Sequence, residues 1–324
     1  MRSLEVSETL GEVASLWWDI WRRLPRPYVF YSPLFLQAWR EELAPHTHLI
    51  MLVARKEGQV VGIAPLMAQG DELSLAGDPQ VCDYMDVVLA PGAEEEALSL
   101  MLDRALQMPW RRLVLWGLHP QSVTRSLIPS LASTRGLRVQ EEVEAVCPQM
   151  ALPSSWHEYL RELPSKERHE LERKLRRLQR VAEPEMESLS SPEAMEAALD
   201  DFFLLHRASR PDKALFMTEA MARFFRRLVS APEAMARLYF LRLGRERVAS
   251  VLCFAAGQSL LVYNSGYNPD YSHLAVGLLS KALLVAQAMA EGFRHLDFLR
   301  GDEPYKYALG ARDWPVYRLV LERP

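Results

Sequence analysis

RHLDFLRGDEPYKY, residues 294–307, runs from a short apolar strand through a polar turn into a single helical turn, and the rest of the chain is read outward from it. Asp297 lies inside the strand pattern, and Arg300, Gly301 and Asp302 mark its end, where the chain must turn sharply before Pro304. Just upstream, residues 274–291 form a helical pattern with apolar positions at 274, 278, 282, 285 and 289, and residues 259–265 read as a strand. Strands at 238–243 and 248–255, joined by a turn at Gly244, Arg245 and Glu246, come before that, and helical stretches at 191–208 and 218–230 come first.

The first half repeats this order. Residues 48–53 and 59–67 read as a hairpin turned at Arg55–Gly58, a third apolar piece spans 83–89, a helix covers 94–107 and RRLVLWGL at 111–118 is again a strand. Setting WRRLVLW (110–116) over FRHLDFL (293–299), and EGQVVGI (57–63) over RERVASV (245–251), gives offsets of 183 and 188 residues. The chain therefore reads as a diverged tandem repeat of one mixed α/β unit, residues 1–150 and 151–324, although any two α/β halves can be aligned this loosely. Between the halves, SKERHELERKLRRLQR (165–180) predicts a basic helix with Leu171, Leu175 and Leu178 on one stripe and Arg173, Arg177 and Arg180 on another face.

Composition sets the outer limits. The chain has 324 residues, 49% apolar and 25% charged, with a net charge of −4 that argues against a general nucleic-acid binder. Three widely spaced cysteines, Cys82, Cys147 and Cys253, build neither a disulfide framework nor a CxxC metal site, so no metal and a reducing, cytoplasmic setting are expected. Glu5, Glu8, Glu12 and Asp19 interrupt the N-terminal stretch and speak against a signal peptide, and no run of about 18 apolar residues predicts a membrane span. A monomer is expected.

No GxSxG elbow, phosphate loop, HExxH or GxGxxG occurs, which disfavours zinc enzymes, nucleotide hydrolases and dinucleotide oxidoreductases. The polar cluster at 297–307 is what remains. Strand ends of α/β sheets are where ligands bind, and Tyr305 and Lys306 offer a phenol as proton donor and an ammonium as anchor for an oxyanion. The same residues would serve equally as structure, with Asp297 and Arg300 as a buried ion pair at a corner. Gly277, near the start of the long helix, would let backbone approach a ligand, and free amides there suit a pyrophosphate.

VVGIAPLM (60–67), LSLAGDPQVCDYMDVVLAP (73–91), the basic helix and above all FRHLDFLRGDEPYKYALGARDWPVYRLV (293–320) resemble the GNAT-like acetyltransferases associated with cellulose biosynthesis, relatives of the Fem-type peptidoglycan aminoacyl transferases. The resemblance implies an α+β protein of two tandem GNAT-like units, each a mixed sheet flanked by helices. It implies an acyltransferase that moves an acetyl or other acyl group from acyl-CoA to an amine or hydroxyl of a saccharide, cell-envelope or small-molecule acceptor. By position, Tyr263, Ala275, Val276, Gly277, Leu278 and Arg300 would contact the acyl-CoA. Tyr305 would be the acid for the leaving thiolate, beside Lys306 and Asp302. In the first half Asp78 and Asp83 would repel phosphate, so that half is expected to hold the acceptor, with Asp83, Tyr84 and Asp86 facing a cleft between the halves and Asp297 contributing; as turn residues the three would fit equally. Two departures stand out: Ala275-Val276-Gly277 replaces the family's Ser-Pro-Gly at the helix start, and Leu309 stands where a tryptophan is usual. Two other readings stay open: a Fem-type transferase using aminoacyl-tRNA, with the basic helix on RNA phosphates, and a non-catalytic saccharide- or protein-binding module.

Overall fold

LIMLVARK and QVVGIAPLMAQ close on each other as an antiparallel hairpin because Glu57 and Gly58, both at positive φ, form the two-residue turn whose twist matches the strands. That hairpin belongs to the first of two compact units, Met1–Val146 with Trp314–Pro324; the second is Cys147–Asp313. The computed structural model describes residues 2–7 and 10–324; Glu8, one of the charges interrupting the N-terminal stretch, lies outside them.

The first unit runs β1 (Arg2–Ser7), α1 (Leu10–Trp21), α2 (Pro33–Glu42), β2 (Leu49–Lys56), β3 (Gln59–Gln69), β4 (Glu72–Leu75), β5 (Val88–Leu89), α3 (Glu94–Leu106), β6 (Arg112–Leu118), α4 (Val123–Ser133) and β7 (Arg138–Val146). The second runs β8 (Gln149–Ala151), α5 (Trp156–Glu162), α6 (Ser165–Gln179), β9 (Pro184–Leu189), α7 (Pro192–Ser209), α8 (Pro211–Phe216), α9 (Glu219–Ser230), β10 (Ala236–Leu243), β11 (Glu246–Ala256), β12 (Ser259–Tyr267), α10 (Val276–Ala290), β13 (His295–Asp297) and α11 (Pro304–Ala308). The chain then enters β14 (Pro315–Glu322).

The strands form two sheets, ordered β1-β2-β3-β4-β6-β14-β7, with β5 on β3, and β8-β13-β12-β11-β10-β9. Each has one parallel pair, β4/β6 and β12/β13, among antiparallel neighbours. The two halves therefore share one plan, with β3 answering β11 and β6 answering β13, as the paired segments predict. The last strand breaks the division at residue 150: β14 inserts between β6 and β7 of the first sheet, whereas β8, from the start of the second half, covers β13. The expected strand at 83–89 shrinks to Val88–Leu89, because the chain from Asp78 to Cys82 is a turn and Met85 bonds singly to the Gly117 carbonyl at 2.9 Å.

The basic helix is α6. Leu171 and Leu178 are buried, Leu175 is partly so, and Glu170 pairs with Lys174 at 3.1 Å. In the second unit the apolar side of α10, including Leu279, Ala282 and Val285, packs on Tyr239, Val251, Cys253 and Leu296 of the sheet. Among the described residues no helix is long and apolar enough to cross a membrane, and no group of three or more His, Cys, Asp or Glu could hold a metal ion.

Candidate active site

Pairing between β12 and β13 begins at Ser259/His295 and stops at Leu261/Asp297, so the two parallel strands part from there on. β12 continues for six more residues while β13 turns away. The register of β12 against β11 slips at Leu252/Cys253, so Tyr263 is the bulged residue that the register passes over. Gly266 has no side chain because a Cβ there would lie 2.3 Å from the backbone nitrogen of His206, and α7 crosses β12 at that point.

Beyond β12 a 3-10 turn, Pro269–Leu274, leads into α10 through Ala275, held in the left-handed region at φ 59°. No side chain caps α10. The amides of Leu278 and Leu279 both return to the Ala275 carbonyl, while those of Val276 and Gly277 have no acceptor among the described residues. Its first turn carries no acidic residue. Two free donors and the helix dipole make this end a fit for an anionic group. At Gly277 a Cβ would stand 2.8 Å from the Tyr267 ring, so glycine is what lets that ring lie against the helix start.

The other wall is the turn after β13. Leu299 sits at φ 57°, a conformation that costs a branched residue energy and persists only where its surroundings impose it. They do so here. The Leu299 amide donates to Asp297 Oδ1 at 2.8 Å, and Lys306 Nζ donates at 3.0 Å to the carbonyls of Leu299, Arg300 and Gly301 and lies 2.9 Å from Glu303 Oε2. Lys306 is 2% exposed. Its three protons face four protein acceptors, so the oxyanion-anchoring role expected of it gives way to that of a strut inside the turn. Asp297, also 2% exposed, likewise shapes the turn rather than presenting a carboxylate to substrate.

Tyr305, one residue earlier on α11, meets Phe298 edge-on at 6.1 Å between centroids, and Lys281 Nζ of α10 lies 5.2 Å from its ring centre. Its hydroxyl has no hydrogen-bond partner among the described residues. Burial, with the nearby Glu303 carboxylate, pushes the phenol above its ordinary range and keeps it protonated. Lys281 is buried and donates to the Gly277 carbonyl at 2.9 Å; desolvation, with Lys213 nearby, lowers it to about 7. From α8, Lys213 reaches the Ser265 carbonyl of the parted strand, and burial, with Arg210 beside it, lowers it to about 8. Below it His206, lowered to about 4 by burial, shares a 3.1 Å hydrogen bond with Asn264.

Lys281 thus links the start of α10 to Tyr305, its Nζ bonded to the Gly277 carbonyl and lying near the Tyr305 ring. Tyr263 turns its ring toward Phe225 and Phe254, at 5.7 and 5.1 Å. Leu278 caps onto Ala275, Arg300 gives its carbonyl to Lys306, and Asp302 is exposed, its charge reaching Tyr307. Sequence reasoning missed Lys213, Lys281, His206 and Asn264. Lys281 carried a signal, a lone cation on an otherwise apolar helix; Lys213, in an exposed short helix, carried none.

In the first unit Tyr84 and Asp86 line one cavity, of about 140 Å³, and Asp83 is not part of its wall.

Residues 165–307 match a family model described as an acetyltransferase (GNAT) domain. The chain has a tandem GNAT acyltransferase fold. It is similar to the structure of FemX, at 10% identity over 97% of this chain and 96% of that one with a TM-score of 0.61. A conserved protein of unknown function from Bacteroides thetaiotaomicron aligns over 99% of this chain and all of its own, at 12% identity and a TM-score of 0.64. A tandem GNAT protein from the clavulanic acid biosynthesis pathway aligns over 99% of both chains at 14% identity and a TM-score of 0.50. No curated protein matches the sequence.

Proposed function

We propose that the second unit binds an acyl-CoA between β12 and β13 and passes the acyl group directly to an amine or hydroxyl acceptor. The observation that supports this reading is the parted strand pair, with two unbonded amides at the start of α10, the helix that follows β12, and a tyrosine hydroxyl without a protein partner, that of Tyr305, on the helix that follows β13. The amides of Val276 and Gly277 would hold the pyrophosphate. Bound there, the donor supplies a thioester carbonyl to an incoming nucleophile.

The nucleophile attacks that carbonyl, the C–S bond breaks, and the thiolate takes the Tyr305 proton. Lys213, neutral in part near pH 8, takes the proton the nucleophile loses and returns one to Tyr305, so no covalent enzyme intermediate is needed. Acetyl-CoA is the expected donor, and an acceptor from polysaccharide or envelope synthesis follows the family resemblance.

Calorimetry with acetyl-CoA, followed by thiol release across amines and amino sugars, tests this. Micromolar binding with acceptor-dependent thiol release is expected. Absence of binding at millimolar acetyl-CoA would remove the acyl-CoA reading and shift weight to aminoacyl-tRNA or to a binding module.

A further inference from the structure

The walls of the Asp86 cavity in the first unit are tied together by hydrogen bonds and ring contacts. Trp17 and Trp21 of α1 are buried, and their indoles donate to the carbonyls of Tyr31 and Tyr28 at 3.2 and 3.0 Å, fixing both tyrosines at the wall. Tyr28 stacks on Tyr84 with centroids 4.6 Å apart and planes at 14°. His119 closes the aromatic wall, 6.0 Å from Tyr28 and 5.7 Å from Tyr84, held by the Trp314 indole at 2.9 Å.

Into this aromatic enclosure projects Asp86. Its Oδ1 accepts the Val87 amide at 2.8 Å, and no cation pairs with it among the described residues. Thr124 is fully buried in the same wall, and its hydroxyl and that of Ser122 lie beside the carboxylate. A carboxylate with no cation beside it, set among tyrosine faces, is a costly group to leave without a counter-charge. An ammonium supplies that charge, donating to the carboxylate and lying against the rings.

We infer that this cavity is a recognition site for a primary ammonium group, seated on the Asp86 carboxylate that Thr124 and Ser122 hold in place and walled by Tyr28, Tyr31 and Tyr84. The volume of about 140 Å³ suits an aminoalkyl group or one edge of an amino sugar rather than a whole disaccharide. Calling the occupant the acceptor rests on the proposed transferase reading; the binding itself does not, because it involves the first unit alone.

Other charged groups at the cavity leave Asp86 as the one whose titration matters. Burial raises its carboxyl to about 6, against the lowering effect of the Thr124 and Ser122 hydroxyls and the Val87 amide. His119, depressed to about 3 by burial with Arg26 nearby, stays neutral, and the Tyr31 phenol is raised. Glu94, at the wall, accepts the Gly92 amide, and Arg26 is bonded to Gln121. The ammonium site should therefore fill as pH rises through 6.

The test is calorimetric titration of the full chain, without any acyl donor, with n-propylamine and with 1-propanol at pH 7.5 and 5.0. Amine binding is expected at pH 7.5, weakened about tenfold at pH 5.0 as Asp86 takes up a proton, with the alcohol at least tenfold weaker throughout. Asp86→Asn should abolish the pH dependence and Thr124→Val should weaken binding severalfold, the second variant serving if the first fails to fold. Equal binding of alcohol and amine, equal amine binding at both pH values, or no amine binding at 50 mM (an order-of-magnitude ceiling for a useful subsite, roughly 2 kcal/mol) would overturn the inference. Amine binding without acyl transfer would leave it standing and count only against the transferase reading.

Discussion

The two parallel strand pairs, β4/β6 and β12/β13, begin alike and end differently. In the first unit, pairing stops at Ser74/Val114, and just beyond it the Trp116 indole donates across to the Leu75 carbonyl at 2.9 Å. Trp116, Cys82 and Met85 then pack around Gly77, where a Cβ would meet each at 3.2 to 3.4 Å. In the second unit the strands open onto polar groups, and a lysine reaches the carbonyl of the longer one. The following helices diverge as well: α3 opens with Glu94, Glu95 and Glu96, whereas the first turn of α10 has no acid. One fold thus gives a sealed pair with an anion-repelling helix start and an open pair with an anion-accepting one.

Removing the proposed proton donor should produce the largest effect. Tyr305→Phe is expected to lower kcat for acyl transfer about 100-fold or more while leaving acetyl-CoA affinity unchanged, measured by thiol release and calorimetry. Undiminished turnover would take Tyr305 out of the chemistry.

Lys306→Met should damage the open pair through its scaffold instead. It strips three carbonyls of their buried donor and is expected to cost about 3 kcal/mol in chemical denaturation. A change within 0.5 kcal/mol, roughly the scatter of surface substitutions, would show that the turn does not depend on it.

Making α10 resemble α3 should blunt the difference directly. Leu278→Glu is expected to weaken acetyl-CoA binding about tenfold, because a carboxylate in the first turn opposes the pyrophosphate. Neutralising Glu94, Glu95 and Glu96 together should create no binding in the first unit, since Trp116 still seals its strands.

The smallest effect concerns stability. Lys281 titrates near 7 when folded and in the ordinary lysine range when unfolded, so the unfolded chain binds more protons between those values and stability should rise with pH from about 7 to about 10. Lys281→Met should remove that slope and raise stability at pH 7 by about 1 kcal/mol, followed by thermal melts.

The repeat, the hairpins, α3, α6, α7, α9 and α10 were legible because each follows a single period of apolar residues. β14 was not, since nothing local says that Pro315–Glu322 returns to the first sheet to pair with β6 and β7 rather than joining the half it follows. The site was legible in part. Tyr305 and Gly277 stood out by residue type and place, but Lys306 read as an anchor because sequence does not reveal that three carbonyls of one turn converge on its ammonium. Lys213 was invisible, as its reach to Ser265 depends on how α8 lies over the sheet.

Calorimetric titration of acetyl-CoA into the wild-type chain and into Gly277→Asp bears most directly on the account. It predicts micromolar binding to the wild type at one site per chain, lost in the variant, with the fold intact by circular dichroism. Equal binding by both proteins would place the donor away from the start of α10 and contradict it.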